Sequence, residues 1–187
     1  MNISLALPGR SGAATRQAAW LGRLVGAVEE GLERGRAARR ALIAEAVAEA
    51  SRAPELRDLR RFGSQRCYAR HLLHADPLER FSILALVWRR GQFSPVHGHH
   101  AWCAFALSCG RLLETRYAIC EADGLAIPQD TLPLAPFFAD FTEAADGHVH
   151  RLGNAARQVA VSLHVYGRVW GTAGGGVNRP VVARTGD

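Results

Sequence analysis

The apolar residues of this chain change their spacing once, near residue 65, and that change limits the fold more than any single motif does. Before it, "RQAAWLGRLVGAVEEGLE" sets Trp20, Leu21, Val25 and Val28 on one stripe with charged residues opposite, as in an amphipathic helix. "AARRALIAEAVAEASR" repeats the pattern and stops before Pro54, which predicts a second helix. Two helices over about 15–61 cannot enclose a core alone and must lean on the rest of the chain. From about Cys67 the spacing becomes two, and strands are predicted near "FSILALVW", "SPVHGH", "AWCAFALS", "LLETRYAI", "GHVHRL", "QVAVSLHVYG" and "PVVART". Turns are expected at "RRGQ", "SCGR", "EADG" and "LGNAA", and the prolines of "AIPQDTLPLAPFF" make it a loop or edge connection rather than a central strand. Many short strands with no helices between them mean a mainly β, antiparallel sandwich or barrel carrying N-terminal helices. At 187 residues the chain suits a single domain, with the β part over about 67–185.

Charge excludes less than it first suggests. The net charge of +6 and pI near 9.9 would ordinarily point to nucleic acid, but all 23 basic residues are arginine. That pattern fits a coding bias better than a selected basic face, and the arginines are not interleaved with aromatics as a single-strand platform would need. No nucleic-acid partner is expected. No apolar run reaches the roughly 18 residues of a membrane span, and the first residues lack the charge and hydrophobic core of a signal peptide. A cytoplasmic location without membrane contact is the resulting expectation. Cys67, Cys103, Cys109 and Cys120 form no CxxC pair and are read as reduced thiols. Nothing in the sequence separates a monomer from a homo-oligomer.

The segment "SPVHGHHAWC" holds three of the eight histidines. His97 and His99 are two apart on an expected strand, so their rings share a face. His148 and His150 repeat that spacing in "DGHVHRLGN". One such pair is explained by hydrogen-bonded core histidines; two on strands of one sandwich favour a metal, and iron accepts imidazole ligands with positions left open.

Gly91, five residues and then His97-Gly98-His99 resemble the first cupin motif, and His150 with Asn154 resembles the end of the second. The glutamate ligand usual in cupins is missing from "HAWCAFA". A cupin with three histidines and no glutamate resembles the thiol dioxygenases, in particular the cysteine dioxygenase family. Tyr68 and Arg70 in "CYARHLL" look like that family's tyrosine and carboxylate-binding arginine, and Ser162, His164 and Tyr166 in "VSLHVYG" are similar to its Ser-His-Tyr relay. The resemblance runs from about Tyr68 to Tyr166. It implies a cupin jelly roll holding Fe(II) on His97, His99 and His150, with His148 a nearby alternative and His100 outside the ligand set.

The implied reaction takes a small thiol and O2 to the sulfinic acid, with cysteine as substrate. Arg70 favours cysteine, since relatives acting on 3-mercaptopropionate tend to carry glutamine there. "HVYGRVW" points the other way, because many cysteine dioxygenases have Ser-Pro after the relay. A 3-mercaptopropionate dioxygenase and, more distantly, a non-enzymatic metal- or ligand-binding cupin remain alternatives. Cys103 lies seven residues before Gly110, where some relatives carry a cysteine linked by a thioether to the tyrosine, here Tyr166. Counting forward from His99 gives Ala104 instead, and a buried structural thiol sharing a strand face with Cys109 is the favoured reading. Gly98 stands where the family often has aspartate.

Overall fold

The computed structural model describes residues 11–144, 147–169, 171 and 177–184. Helices α1 (Ser11–Leu32) and α2 (Arg36–Ala50) lead into the short α3 (Pro54–Asp58) and one 3-10 turn, Leu59–Phe62. Along α1 the buried positions are Trp20, Leu24 and Val28, four residues apart, while Leu21 and Val25 from the expected stripe sit at its half-buried margin. Ile43, Val47 and Ala50 form the matching row on α2. No helix among the described residues is long and apolar enough to cross a membrane.

The β part consists of β1 (Ala69–Ala75), β2 (Ser82–Trp88), β3 (Gln92–Phe93), β4 (His97–His99), β5 (Cys103–Cys109), β6 (Leu112–Ile119), β7 (Ala126–Leu134), β8 (Ala139–Thr142), β9 (Val149–Asn154), β10 (Ala160–Tyr166) and β11 (Asn178–Pro180). They form two antiparallel sheets, one in the order β1-β2-β10-β5-β8 and one in the order β11-β4-β9-β6-β7, with β3 beside β9. This is the cupin sandwich that the alternating pattern and the resemblance led us to expect. The segment read as a proline-rich loop or edge connection contains a nine-residue strand, β7, and it lies at the sheet edge. Pro128 and Pro133 lack the N–H that a central position would need. Strands β1, β3 and β8 were not expected, Gln92 of β3 falling in the segment read as the turn "RRGQ", and the last strand comes before "VVART" rather than within it. Thr185, the expected end of the β part, lies outside the described residues, as do Met1–Arg10.

The first sheet is covered on both sides. Ile83, Ala85, Val87, Ala104, Ala106, Val161, Leu163 and Val165 face the helices, where Trp20, Leu24, Val28, Ile43 and Val47 pack on them. Leu84, Leu86, Trp88, Cys103, Phe105 and Tyr166 point the other way, into the space between the sheets. A register shift opposite Val161 and Ser162 inserts Ser108 as an extra residue in β5. Cys109 consequently packs on the helix side while Cys103 faces between the sheets, which corrects the expectation that the two thiols share a face.

The helices therefore complete a core rather than decorate it. Leu24→Ala is expected to lower unfolding free energy by about 2–5 kcal/mol, as for other fully buried leucines. Leu78→Ala, on a side chain that is largely exposed, should stay within about 0.5 kcal/mol. Denaturant titration of both variants checks the contrast.

Candidate metal centre

Three histidines meet between the sheets because β4 and β9 are hydrogen-bonded neighbours. His97 and His150 are direct partners across that pair, and the two-residue spacing turns His99 to the same side as His97. One ring nitrogen from each lies within 4.8 Å of the others, and all three residues are buried. Two of the rings have their Nδ1–H occupied: His97 donates to the Pro95 carbonyl at 2.9 Å, and His150 to Glu114 Oε1 at 2.7 Å. That tautomer leaves Nε2 as a lone pair, and His150 Nε2 is buried without a partner among the described residues. A convergent set of neutral nitrogens with an unpaired buried acceptor fits a divalent metal.

The facing wall comes from β10. Ser162, His164 and Tyr166 alternate with the helix-facing valines and leucine and so line the cavity side. Trp88 Nε1–H donates to Ser162 Oγ at 2.9 Å, Ser162 Oγ is 2.8 Å from His164 Nε2, and His164 Nδ1 is 3.3 Å from the Tyr166 hydroxyl. Trp88 can only donate, which gives the chain a direction. The serine O–H then goes to His164 Nε2, the ring proton sits on Nδ1, and the Tyr166 O–H is left to donate into the cavity. The opposite tautomer would leave the buried serine proton without an acceptor among the described residues. Tyr166 reaches across to the histidines, its ring centroid 5.9 Å from that of His99.

The cavity between these walls is small, about 20 Å³, and Arg70 and Asn178 stand at its mouth, the former exposed and the latter half-buried. Arg70 hydrogen-bonds to the Tyr68 hydroxyl and lies over that ring, which in turn stacks on Trp88 at 4.2 Å. No carboxylate pairs with Arg70 among the described residues. Asn178, opposite His99 on the adjoining strand, turns a buried Oδ1 that has no hydrogen-bond donor among the described residues. Cys103 is the direct cross-strand partner of Tyr166, on the same face.

A family model for cysteine dioxygenase type I matches residues 32–173. The chain belongs to this family. The solved structures it is similar to are more distant. An oxalate oxidase bound to glycolate is 14% identical over 56% of this chain, with a TM-score of 0.44. A double-stranded β-helix protein from Klebsiella pneumoniae is 16% identical over 55% of this chain and 77% of its own, with a TM-score of 0.41. The match spans 53% of the oxalate oxidase chain.

His148 and His100 lie apart from the three-histidine group. His148 lies just before β9 and groups with Glu114 and His150, not with His97 and His99. His100 is exposed. Asn154 ties strand ends together, its Nδ2 donating to the Trp88 and Gln158 carbonyls at 2.9 and 2.7 Å. Gly98 leaves room for the Arg179 guanidinium, 3.1 Å from where a Cβ would be, so the aspartate common in the family would crowd it. Gly167, next after the relay, donates its N–H to the Trp102 carbonyl at 2.9 Å. The Trp102 indole fills the place a side chain would take, with Nε1 2.3 Å from the position of a Cβ. Glu114 and Trp88 were not singled out in the sequence. The signal for Glu114 was an acid at the inward position of "LLETRYAI", two after the buried Leu112.

Burial keeps the rings neutral. It pushes His97 down to about 3, His99 to about 2 and His164 to about 3, and the repulsion that protons on neighbouring rings would exert adds to the effect. Burial also raises the Cys103 thiol and the Tyr166 phenol, so both are protonated at neutral pH. For Glu114 burial acts upward, but the hydrogen bond from His150 and the positive charge of Arg116 hold the carboxyl below its ordinary range. Between the ordinary histidine value of 6.5 and about 3, the unfolded chain binds protons that the folded chain refuses, so stability falls as pH falls. The metal-free protein is expected to show a melting temperature that drops steadily from pH 6.5 to about 4. His164→Gln should make that profile shallower; an unchanged slope would show that His164 is not a neutral buried ring.

Proposed function

We propose that this chain is an Fe(II)-dependent thiol dioxygenase that converts L-cysteine and O2 to cysteine sulfinic acid. The observation that carries the reading is the convergence of His97, His99 and His150 directly across from the Tyr166 hydroxyl. Iron on the three histidines would supply the place where thiolate and O2 meet, and three neutral ligands leave its double positive charge available for an anionic sulfur.

The chain's own residues then have distinct tasks. The Arg70 guanidinium, held by Tyr68, offers a two-pronged donor to the substrate carboxylate. The Trp88-Ser162-His164 chain holds the Tyr166 hydroxyl as a donor toward the reacting oxygen, and the apolar wall of Leu86, Phe105 and Leu152 excludes bulk water. The S–H proton leaves, both oxygen atoms end on sulfur, and no external reductant is needed. Holding both reactants in one small space replaces a chance encounter with a fixed geometry.

Asn178 favours cysteine over 3-mercaptopropionate. Its unpaired Oδ1 asks for a donor, which the amino group of cysteine provides and 3-mercaptopropionate lacks. Oxygen uptake by iron-loaded protein with each thiol tests the reading. Turnover of cysteine is expected to exceed that of 3-mercaptopropionate, whereas stoichiometric iron with no uptake on either thiol would support a binding module instead.

Arg70→Gln is expected to reduce kcat/KM for cysteine by an amount worth about 2–5 kcal/mol, by analogy with truncated buried charge pairs. 3-Mercaptopropionate carries the same carboxylate, so a comparable loss is expected for it, and unchanged kcat/KM on both thiols would remove Arg70 from the substrate site.

Cys103 and Tyr166 are placed as neighbours on adjoining strands, but the buried, protonated thiol reads first as packing. Intact mass after turnover is therefore expected to be unchanged; a loss of about 2 Da that Cys103→Ala abolishes would establish a thioether.

A further inference from the structure

Glu114 is a fully buried carboxylate on β6, the neighbour of the strand that carries His150. Its two oxygens are used differently. Oε1 accepts the His150 Nδ1–H at 2.7 Å and lies 3.5 Å from His148 Nε2, while Oε2 accepts from Arg116 Nε at 3.2 Å. Taking a carboxylate out of water is costly, and a neutral glutamine of similar shape could accept the same hydrogen bond at less expense to folding. The charge itself therefore calls for an explanation.

The three histidines are not electronically alike. His97 donates its Nδ1–H to a neutral backbone carbonyl, and among the described residues no carboxylate bonds to His99. Only His150 donates to an anion. A carboxylate behind an imidazole fixes the tautomer, holds the ring plane and raises the basicity of the opposite nitrogen. That opposite nitrogen, Nε2, is the buried and unpartnered atom aimed at the meeting point of the three rings.

We propose that Glu114 is the positioning residue of the metal centre. Its charge, transmitted through the His150 ring, makes His150 the strongest donor of the three and supplies from one bond further out the negative charge that a directly bound glutamate supplies in other cupins. Arg116 tempers this by drawing on the other carboxylate oxygen. The proposal rests on the reading of the histidines as the metal site, and it extends to any divalent metal held there.

The test uses the full-length protein loaded with Fe(II), and in parallel with Co(II), and compares wild type with Glu114→Gln and Arg116→Gln. Glu114→Gln keeps an acceptor for His150 and removes the charge. It should bind metal about 10–100-fold more weakly and raise the Fe(III)/Fe(II) midpoint potential, with no loss of metal-free melting temperature. Arg116→Gln leaves the carboxylate more available to His150 and should shift both affinity and potential the opposite way. A purely structural glutamate would not produce shifts of opposite sign. Affinity and potential unchanged in Glu114→Gln, or both variants moving the same way, would overturn the proposal. If Glu114→Gln does not fold, the sign of the Arg116→Gln shift decides it alone. Failure of wild type to take up either metal would sink the metal-site reading itself, a result seen before any variant is compared.

Discussion

On a strand buried from both sides, every second side chain must satisfy a different environment, and β10 is such a strand. Val161, Leu163 and Val165 lie under the helices, and each contributes roughly 1.5–3 kcal/mol by leaving water. Ser162, His164 and Tyr166 lie between the sheets, where each unsatisfied polar group would cost about 1–3 kcal/mol. The two requirements meet only in one register, since a slip of one residue would drive polar groups under the helices and valines toward the histidines. The helical layer thus fixes which residues of β10 face the cavity. In turn, the ladder from Trp88 to Tyr166 is tolerated in the interior because its members satisfy one another.

The two sheets divide the chemistry between them. The sheet away from the helices presents the three histidines, backed by Glu114, and the sheet beneath the helices presents the phenol. Each set is built on hydrogen-bonded strands whose register is fixed independently, so the distance between them is a property of the sandwich and not of any loop. What the loops and edges contribute is the mouth: Arg70 comes from the edge strand β1 and Asn178 from the edge strand β11. Paired inner strands hold the histidines and the phenol, and edge strands carry Arg70 and Asn178.

Much of this was legible in the sequence because it depends on spacing alone. Residues two apart on a strand share a face, which gave His97 with His99 and Ser162 with His164 and Tyr166 before any contact was known. Features that depend on a partner strand were not legible. The bulge at Ser108, which sends Cys109 to the helix side, shows only in the pairing of β5 with β10. Strand β1 was overlooked because "ARHLLHA" mixes polar and apolar residues on an edge, and β8 because four residues give too little pattern. Glu114 lies beyond the histidine pair along the chain and reaches the site through His150, a contact that no local spacing reveals.

The contact between Trp102 and Gly167 extends the same logic to the end of the relay strand. Trp102 packs with Phe141 and the helical core, so its indole is held from behind and cannot retreat to make room for a side chain at 167. The two positions share one volume and should covary: a relative with proline or other bulk after the tyrosine needs a smaller residue where this chain has tryptophan. The glycine after Tyr166 is accordingly a record of how the helical layer is packed.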